Sequence, residues 1–166
     1  TIKSNLDPTN IFTDEQLWTV LEHAHLKETI LSMFNDYNSE NKKCPISDPL
    51  EVQLSEGGSN LSVGQRQLIC LARALLIKSP ILILDEATAA IDVETDKVIQ
   101  ETIRKEFVDR TIITIAHRLN TIIDSDRILV LEKGEVKEFD SPAKLLEMEN
   151  GMFKSLCEEG GTLERS

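Results

Sequence analysis

The sequence predicts an α/β fold with a mainly helical subdomain beside it. Two apolar runs, residues 81–84 and 111–116, alternate with amphipathic helical stretches, and helix–strand–helix–strand order implies parallel pairing. The residues before Ser62 have helical periodicity without that alternation. With 166 residues, 40% of them apolar and 28% charged, the chain is long enough for one cored domain and too apolar for wholesale disorder.

Taken in order, residues 1–10 read as loop, with a turn at Asp7-Pro8. Thr13 and Gln16 form a capping box, and the helix they open carries Leu17, Leu21 and Ala24 on one face, with Trp18 at its flank. A second helical stretch covers residues 27–34. The polar segment 35–49, with Pro45 and Pro49, reads as a surface loop or insertion. Residues 50–54 suit a short extended segment, and Glu56-Gly57-Gly58-Ser59 a turn.

Ser62 and Gln65 form a second capping box. Leu68, Ile69, Ala72, Leu75 and Leu76 make the apolar stripe of a helix that ends before Ser79-Pro80. Residues 81–84 form a bare apolar run, expected to be a strand buried on both faces and closed by Asp85-Glu86. Asp92 caps a helix through Phe107, with Val98, Ile99 and Ile103 inward, and 111–116 is again β-rich. A short helix covers 119–123, and residues 127–131 and 135–139 flank Lys133-Gly134 as a hairpin. Ser141-Pro142 opens a helix to about Met148, and Gly151 separates it from a last helix ended by Gly160-Gly161.

Several function classes are disfavoured. Lys plus Arg total 18 against 29 Asp plus Glu, a formal charge of −11 that repels phosphate backbones, so broad nucleic-acid binding is not expected. Aromatics are only 4%, too few for a base-stacking platform. Cys44, Cys70 and Cys157 are scattered with no C-x-x-C, against zinc or a disulfide framework, and Cys70 reads as core. His23 and His25 point to different helix faces with no third ligand nearby, so a metal site there is not expected. No apolar run approaches the ~18 residues of a membrane span. The chain starts at Thr1 without a signal or transit peptide, and its first Met is Met33, so it reads as cut from a longer protein.

Chemistry concentrates at three places. Asp85 and Glu86 stand at the C-terminal edge of an apolar strand, where parallel sheets bind ligands. Adjacent acids with no basic neighbour suit a cation and a polarised water, the form of a Walker B strand. Ser62, Gly64 and Gln65 offer a hydroxyl, a glycine permitting close approach and free amides at a helix start, a phosphate-sized anion site. An ordinary capped helix explains the same residues equally well. His117 follows the second strand and can reach a phosphate at that sheet edge, although most such histidines only pack locally.

The order Leu61-Ser62-Val63-Gly64-Gln65-Arg66-Gln67, then Ile81 to Glu86, then Ala89-Ala90-Ile91-Asp92, then His117 resembles the C-terminal part of an ATP-binding-cassette (ABC) nucleotide-binding domain. The segments are similar, in turn, to the family signature, Walker B, the D-loop and the switch histidine. The resemblance runs over essentially the whole chain. Thr1-Ile2-Lys3-Ser4-Asn5-Leu6-Asp7-Pro8 further resembles the segment after the Q-loop in the second nucleotide-binding domain of subfamily C, the multidrug-resistance-associated branch. Asp85-Glu86 and Val63 agree with a second domain. The resemblance implies the C-terminal part of a P-loop NTPase core with parallel strands plus an α-helical subdomain. A Walker A loop, G-x-x-x-x-G-K-[ST], is missing, since no glycine is followed by Lys.

The resemblance also implies roles. The cofactors are ATP and Mg2+. Asp85 holds Mg2+ through water, Glu86 polarises the attacking water, and His117 contacts the γ-phosphate. Ser62, Gly64 and Gln65 contact the γ-phosphate of an ATP held by a second nucleotide-binding domain, and Asp92 couples the two sites. The partners are that second domain and transmembrane domains, with no nucleic acid, and the place is the cytosolic face of a membrane. The expected parts are a helical subdomain and loop at 1–60, the signature helix at 61–80, the α/β core at 81–140 and C-terminal helices at 141–166. The parent is expected to be an ATPase driving export, with the 166 residues inactive alone. The rival expectations are a soluble ABC ATPase and a non-catalytic truncated regulatory module.

Overall fold

A computed structural model describes residues 1–42, 44–85, 91–115 and 122–159. The chain divides into two units, Thr1–Ile113 and Thr114–Ser166, with the division inside a strand. The first residues are helical where a loop was expected. Helix α1 (Ile2–Leu6) is capped by Thr1, whose hydroxyl accepts the Ser4 N–H at 3.3 Å. Ile2 and Leu6, four residues apart, bury one face of this single turn. Asp7 ends it as a buried carboxylate, accepting the Phe12 N–H at 2.7 Å and the Thr9 hydroxyl at 3.0 Å. Burial pushes its pKa up, but these donors outweigh it and hold the group below its ordinary value.

Helix α2 (Asp14–His23) has the expected Thr13–Gln16 capping box and buries Leu17 and Leu21. Helix α3 (Lys27–Glu40) runs well past the expected 27–34 into the segment read as loop. Asn38 explains part of this. Its side chain bonds the Ile46 N–H and C=O at 2.9 and 3.1 Å, so the last turn anchors the loop that follows. Pro49–Glu51 is a 3₁₀ turn capped by Asp48, so the first two residues of the extended segment expected at 50–54 are helical instead. It places Leu50 fully in the core. A second 3₁₀ turn, Glu56–Gly58, holds Gly57 at φ 64, which glycine adopts freely.

Helix α4 (Val63–Leu76) buries Leu68, Ile69, Leu71, Ala72 and Leu76. Cys70 is exposed, not core. At about 100° per residue it falls on the opposite side of α4 from that stripe. Strand β1 (Ile81–Asp85) pairs with β2 (Thr111–Ile115) across helix α5 (Val93–Glu106). The Thr111 N–H donates to the Pro80 carbonyl at 2.9 Å, so the strands start side by side and run parallel. The expected burial on both faces is wrong. Leu82, Leu84 and Ile112 pack on the core shared by α4 and α5, but Ile81 and Ile83 are 52% and 65% exposed. The described residues supply a helical layer to one face only.

In the second unit, β3 (Ile128–Glu132) pairs antiparallel with β4 (Glu135–Asp140) around Lys133 and Gly134, both at positive φ. That turn matches the right-handed twist of the hairpin. Helix α6 (Pro142–Glu147) begins with Pro after Ser141, and α7 (Met152–Glu159) follows. Glu138 of β4 caps α7 by accepting the Met152 and Phe153 N–H groups at 2.5 and 3.0 Å. Ile128, Val130, Leu145, Phe153 and Cys157 form this unit's own core. Most of the short helix expected at 119–123 lies outside the described residues.

Candidate functional site

The N-terminus of α4 is built by local hydrogen bonds. Ser62 Oγ accepts the Gln65 N–H at 3.1 Å, and Gln65 Oε1 accepts the Ser62 N–H at 2.9 Å. Ser62 stays exposed, so its hydroxyl proton is available to a ligand. The first turn of α4 carries no acid, whereas α2 begins with Asp14 and Glu15, α3 with Glu28, and α5 with Glu94 and Asp96. Its partial positive charge is therefore uncancelled, a condition that favours an anion. Arg66 folds back onto the preceding turn, donating to the Gly57 carbonyl at 3.2 Å.

Gly64 is buried, and its approach partner is Thr95 of α5. A Cβ added at Gly64 would lie 2.3 Å from Thr95 Cγ2. Asp92 caps α5, accepting the Thr95 N–H at 2.9 Å. That N–H first, and then the Thr95 hydroxyl, hold the Asp92 carboxyl below its ordinary pKa. Ser62, Gly64, Gln65 and Asp92 are thus brought to two abutting helix starts.

Asp85 ends β1 exposed, beside a shallow cleft of about 260 Å³ that Gln67 and Cys70 of α4 also line. It borders the middle of α4 and not the Ser62–Gln65 turn. No cluster of three or more metal-ligating side chains occurs among the described residues. Mg2+ does not need one, since it keeps several waters and takes one or two carboxylates plus phosphate oxygens. A lone strand-end carboxylate such as Asp85 fits that donor set. Glu86 and His117, the two catalytic expectations, lie outside the described residues.

Two residues that make contacts at the ends of α4 carried no sequence signal. Thr95 is one. The other is Arg110, which donates to the Ala74 and Ile77 carbonyls at 2.7 and 3.2 Å and stacks over Phe107 at 4.7 Å. It places a cation at the C-terminal end of α4, where the helix dipole favours one. Both act through contacts between distant segments, which no local pattern announces.

The family described as ABC transporter matches residues 3–89. The chain belongs to the ABC transporter family. It is 60% identical over its full length to the metal resistance protein YCF1 of Saccharomyces cerevisiae, covering 10% of that protein. It is 55% identical over 99% of its length to bile pigment transporter 1 of the same yeast, covering 11%. Against ATP-binding cassette sub-family C member 3 of Rattus norvegicus it is 52% identical over 97% of its length, covering 10%. The chain spans about a tenth of the length of these relatives. Among the described residues no helix is long and apolar enough to cross a membrane.

Proposed function

We propose that this chain is the C-terminal part of the second nucleotide-binding domain of a subfamily C exporter, working at the cytosolic face of a membrane. In the intact transporter it binds and hydrolyses ATP with Mg2+. Its partners are the transmembrane domains and a second nucleotide-binding domain. The observation that carries this reading is the start of α4: an exposed Ser62 hydroxyl on a helix end with no acid in its first turn, beside the Asp92-capped start of α5. That end suits the γ-phosphate of an ATP held by the partner domain.

The roles divide between two ATP molecules. Asp85 holds Mg2+ through water, Glu86 orients and polarises the attacking water, and His117 contacts the γ-phosphate of the ATP bound on this side. Mg2+ supplies neutralisation of phosphate charge when bound. Ser62, Gly64 and Gln65 face the other ATP, and Asp92 links the two. With no Gly-Lys pair in the sequence, the 166 residues alone do not turn ATP over.

Two substitutions in the intact transporter test this division. Glu86→Gln keeps shape and hydrogen-bonding capacity, so hydrolysis is nearly lost while ATP binding and the closed dimer persist. Ser62→Arg fills the space the partner's phosphate needs, so closure fails although Glu86 is intact. Closure by the Ser62→Arg protein at the parent's ATP concentration refutes the assignment.

A further inference from the structure

Resting on the reading of Ser62 above, we propose that Arg66 is a positioning residue: it closes a ring over residues 57–66 that holds the approach to α4 in one shape, and so fixes where the Ser62 hydroxyl meets the partner domain's phosphate. Arg66 stands one turn after Ser62 on α4 and folds back past the start of its own helix. Its Nη1 donates to the Gly57 carbonyl at 3.2 Å. Its stem lies along Gly58, where an added Cβ would sit 3.0 Å from Arg66 Cδ and 3.4 Å from Arg66 Cγ. Leu61 completes the path, its N–H donating to the Gly58 carbonyl at 2.9 Å, and Ser62 is the next residue.

The rest of the loop shows why one outside contact matters. Val52 and Leu61 are buried and anchor its two ends. Asn60 ties its base, accepting the Ser55 N–H at 3.0 Å and donating to the Gln53 carbonyl at 3.1 Å. The tip is Gly57-Gly58, with φ of 64 and 67, and a glycine pair has the widest backbone freedom of any. Among the described residues, only the Arg66 hydrogen bond ties this tip to a helix. Its other bonds, such as the Gly58 N–H to the Ser55 carbonyl at 2.8 Å, close on the loop itself. The Ser62–Gln65 capping box holds Ser62 to α4 and does not reach the tip. Released, the tip samples other shapes, and closure must first order it. That ordering lowers the apparent affinity by the fraction of protein already in the competent shape.

The test uses the intact transporter carrying Glu86→Gln, and reads the ATP concentration giving half-maximal closure together with the melting temperature. Arg66→Met keeps a stem of similar length and removes the donor. It is expected to raise that concentration about fivefold, the size of one lost hydrogen bond. In a Ser62→Ala background there is no hydroxyl to place, and the same change is expected to raise it less than about twofold. The ratio between parent and Arg66→Met is expected to persist in about 1 M salt, where the Debye length is about 3 Å and a through-space effect of the lost charge is screened. A merely stabilising contact lowers the melting temperature and leaves half-closure of the folded protein where it was.

Equal half-closure for the parent and Arg66→Met overturns the proposal. So does an equal ratio with and without the Ser62 hydroxyl, which makes Arg66 independent of Ser62. A ratio that vanishes in salt overturns it too, since Arg66 then acts as a charge. Should Arg66→Met not fold, Arg66→Gln, whose side chain is shorter than that of Arg, is measured in its place. Ser62→Ala alone separates the two levels. If it leaves half-closure unchanged, the reading of Ser62 has failed and takes this proposal with it. If it weakens closure while Arg66→Met is silent, only the role of Arg66 has failed.

Discussion

Helices α2 and α4 open with the same device and different surroundings. Thr13–Gln16 and Ser62–Gln65 are both reciprocal capping boxes, with bond lengths within a few tenths of an ångström. Behind Thr13 come Asp14 and Glu15, which cancel the helix dipole, and Lys3 pairs with Asp14 at 2.6 Å. Behind Ser62 come Val63 and Gly64, which carry no charge, and Gly64 presses on Thr95. One box only starts a helix. The other starts a helix and leaves an anion-seeking end pointing outward. A capping motif therefore does not by itself mark function; under the proposed reading it is the uncharged first turn of α4, beside α5, that sets Ser62 apart from Thr13.

The comparison is broken most forcefully at its third residue. Gly64→Ala puts a methyl into Thr95, and overpacking of that kind costs about 1–3 kcal/mol of folding stability. Glu15→Ala, at the equivalent position of α2, should change stability by no more than about 1 kcal/mol. Parallel thermal melts of the two variants check this, and equal losses would remove the distinction.

The caps themselves should be alike in stability and unlike in function. Thr13→Ala and Ser62→Ala each remove a side-chain cap worth about 1 kcal/mol. Denaturant titrations should therefore shift similarly, while only Ser62→Ala weakens ATP-driven association of the nucleotide-binding domains.

The smallest effect concerns acid. Asp92 has its folded pKa lowered, chiefly by the Thr95 N–H, so its contribution is present above its ordinary value of 3.8 and is lost as the pH falls through the folded value. Asp92→Asn keeps a capping oxygen but does not titrate. The stability gap between parent and variant should hold near neutral pH and shrink below about pH 4. A gap that stays constant on acidification would show that the charge of Asp92 contributes nothing.

What could be read from sequence was local. Both capping boxes, the Lys133-Gly134 hairpin and the Asp92 cap depend on residues three or four positions apart, and all are present. Packing decided what could not be read. Helix α1 exists because Ile2 and Leu6 find a core made by α2, α4 and Leu50. Cys70 lies in an apolar run yet faces outward, because the run wraps the whole helix while the core touches one side. Residues 81–84 promised two buried faces, and the helices α4 and α5 cover one. At the candidate site, residue types at Ser62, Gly64, Asp85 and Asp92 were legible from order and spacing. That Gly64 meets Thr95 was not, since it is a contact between two helices separated by a strand.

The central claim is that Ser62 faces a phosphate held by another domain, and charge tests it most directly. Aspartate is as good an N-cap as serine, so Ser62→Asp leaves the start of α4 intact while setting a negative charge where the anion must sit. The measurement is ATP-dependent association of complete nucleotide-binding domains carrying Glu86→Gln, with and without Ser62→Asp. The account predicts clear weakening with Ser62→Asp and no change with Thr13→Asp. Equal ATP-dependent association with and without Ser62→Asp would contradict it and leave Ser62 a helix cap, as Thr13 is.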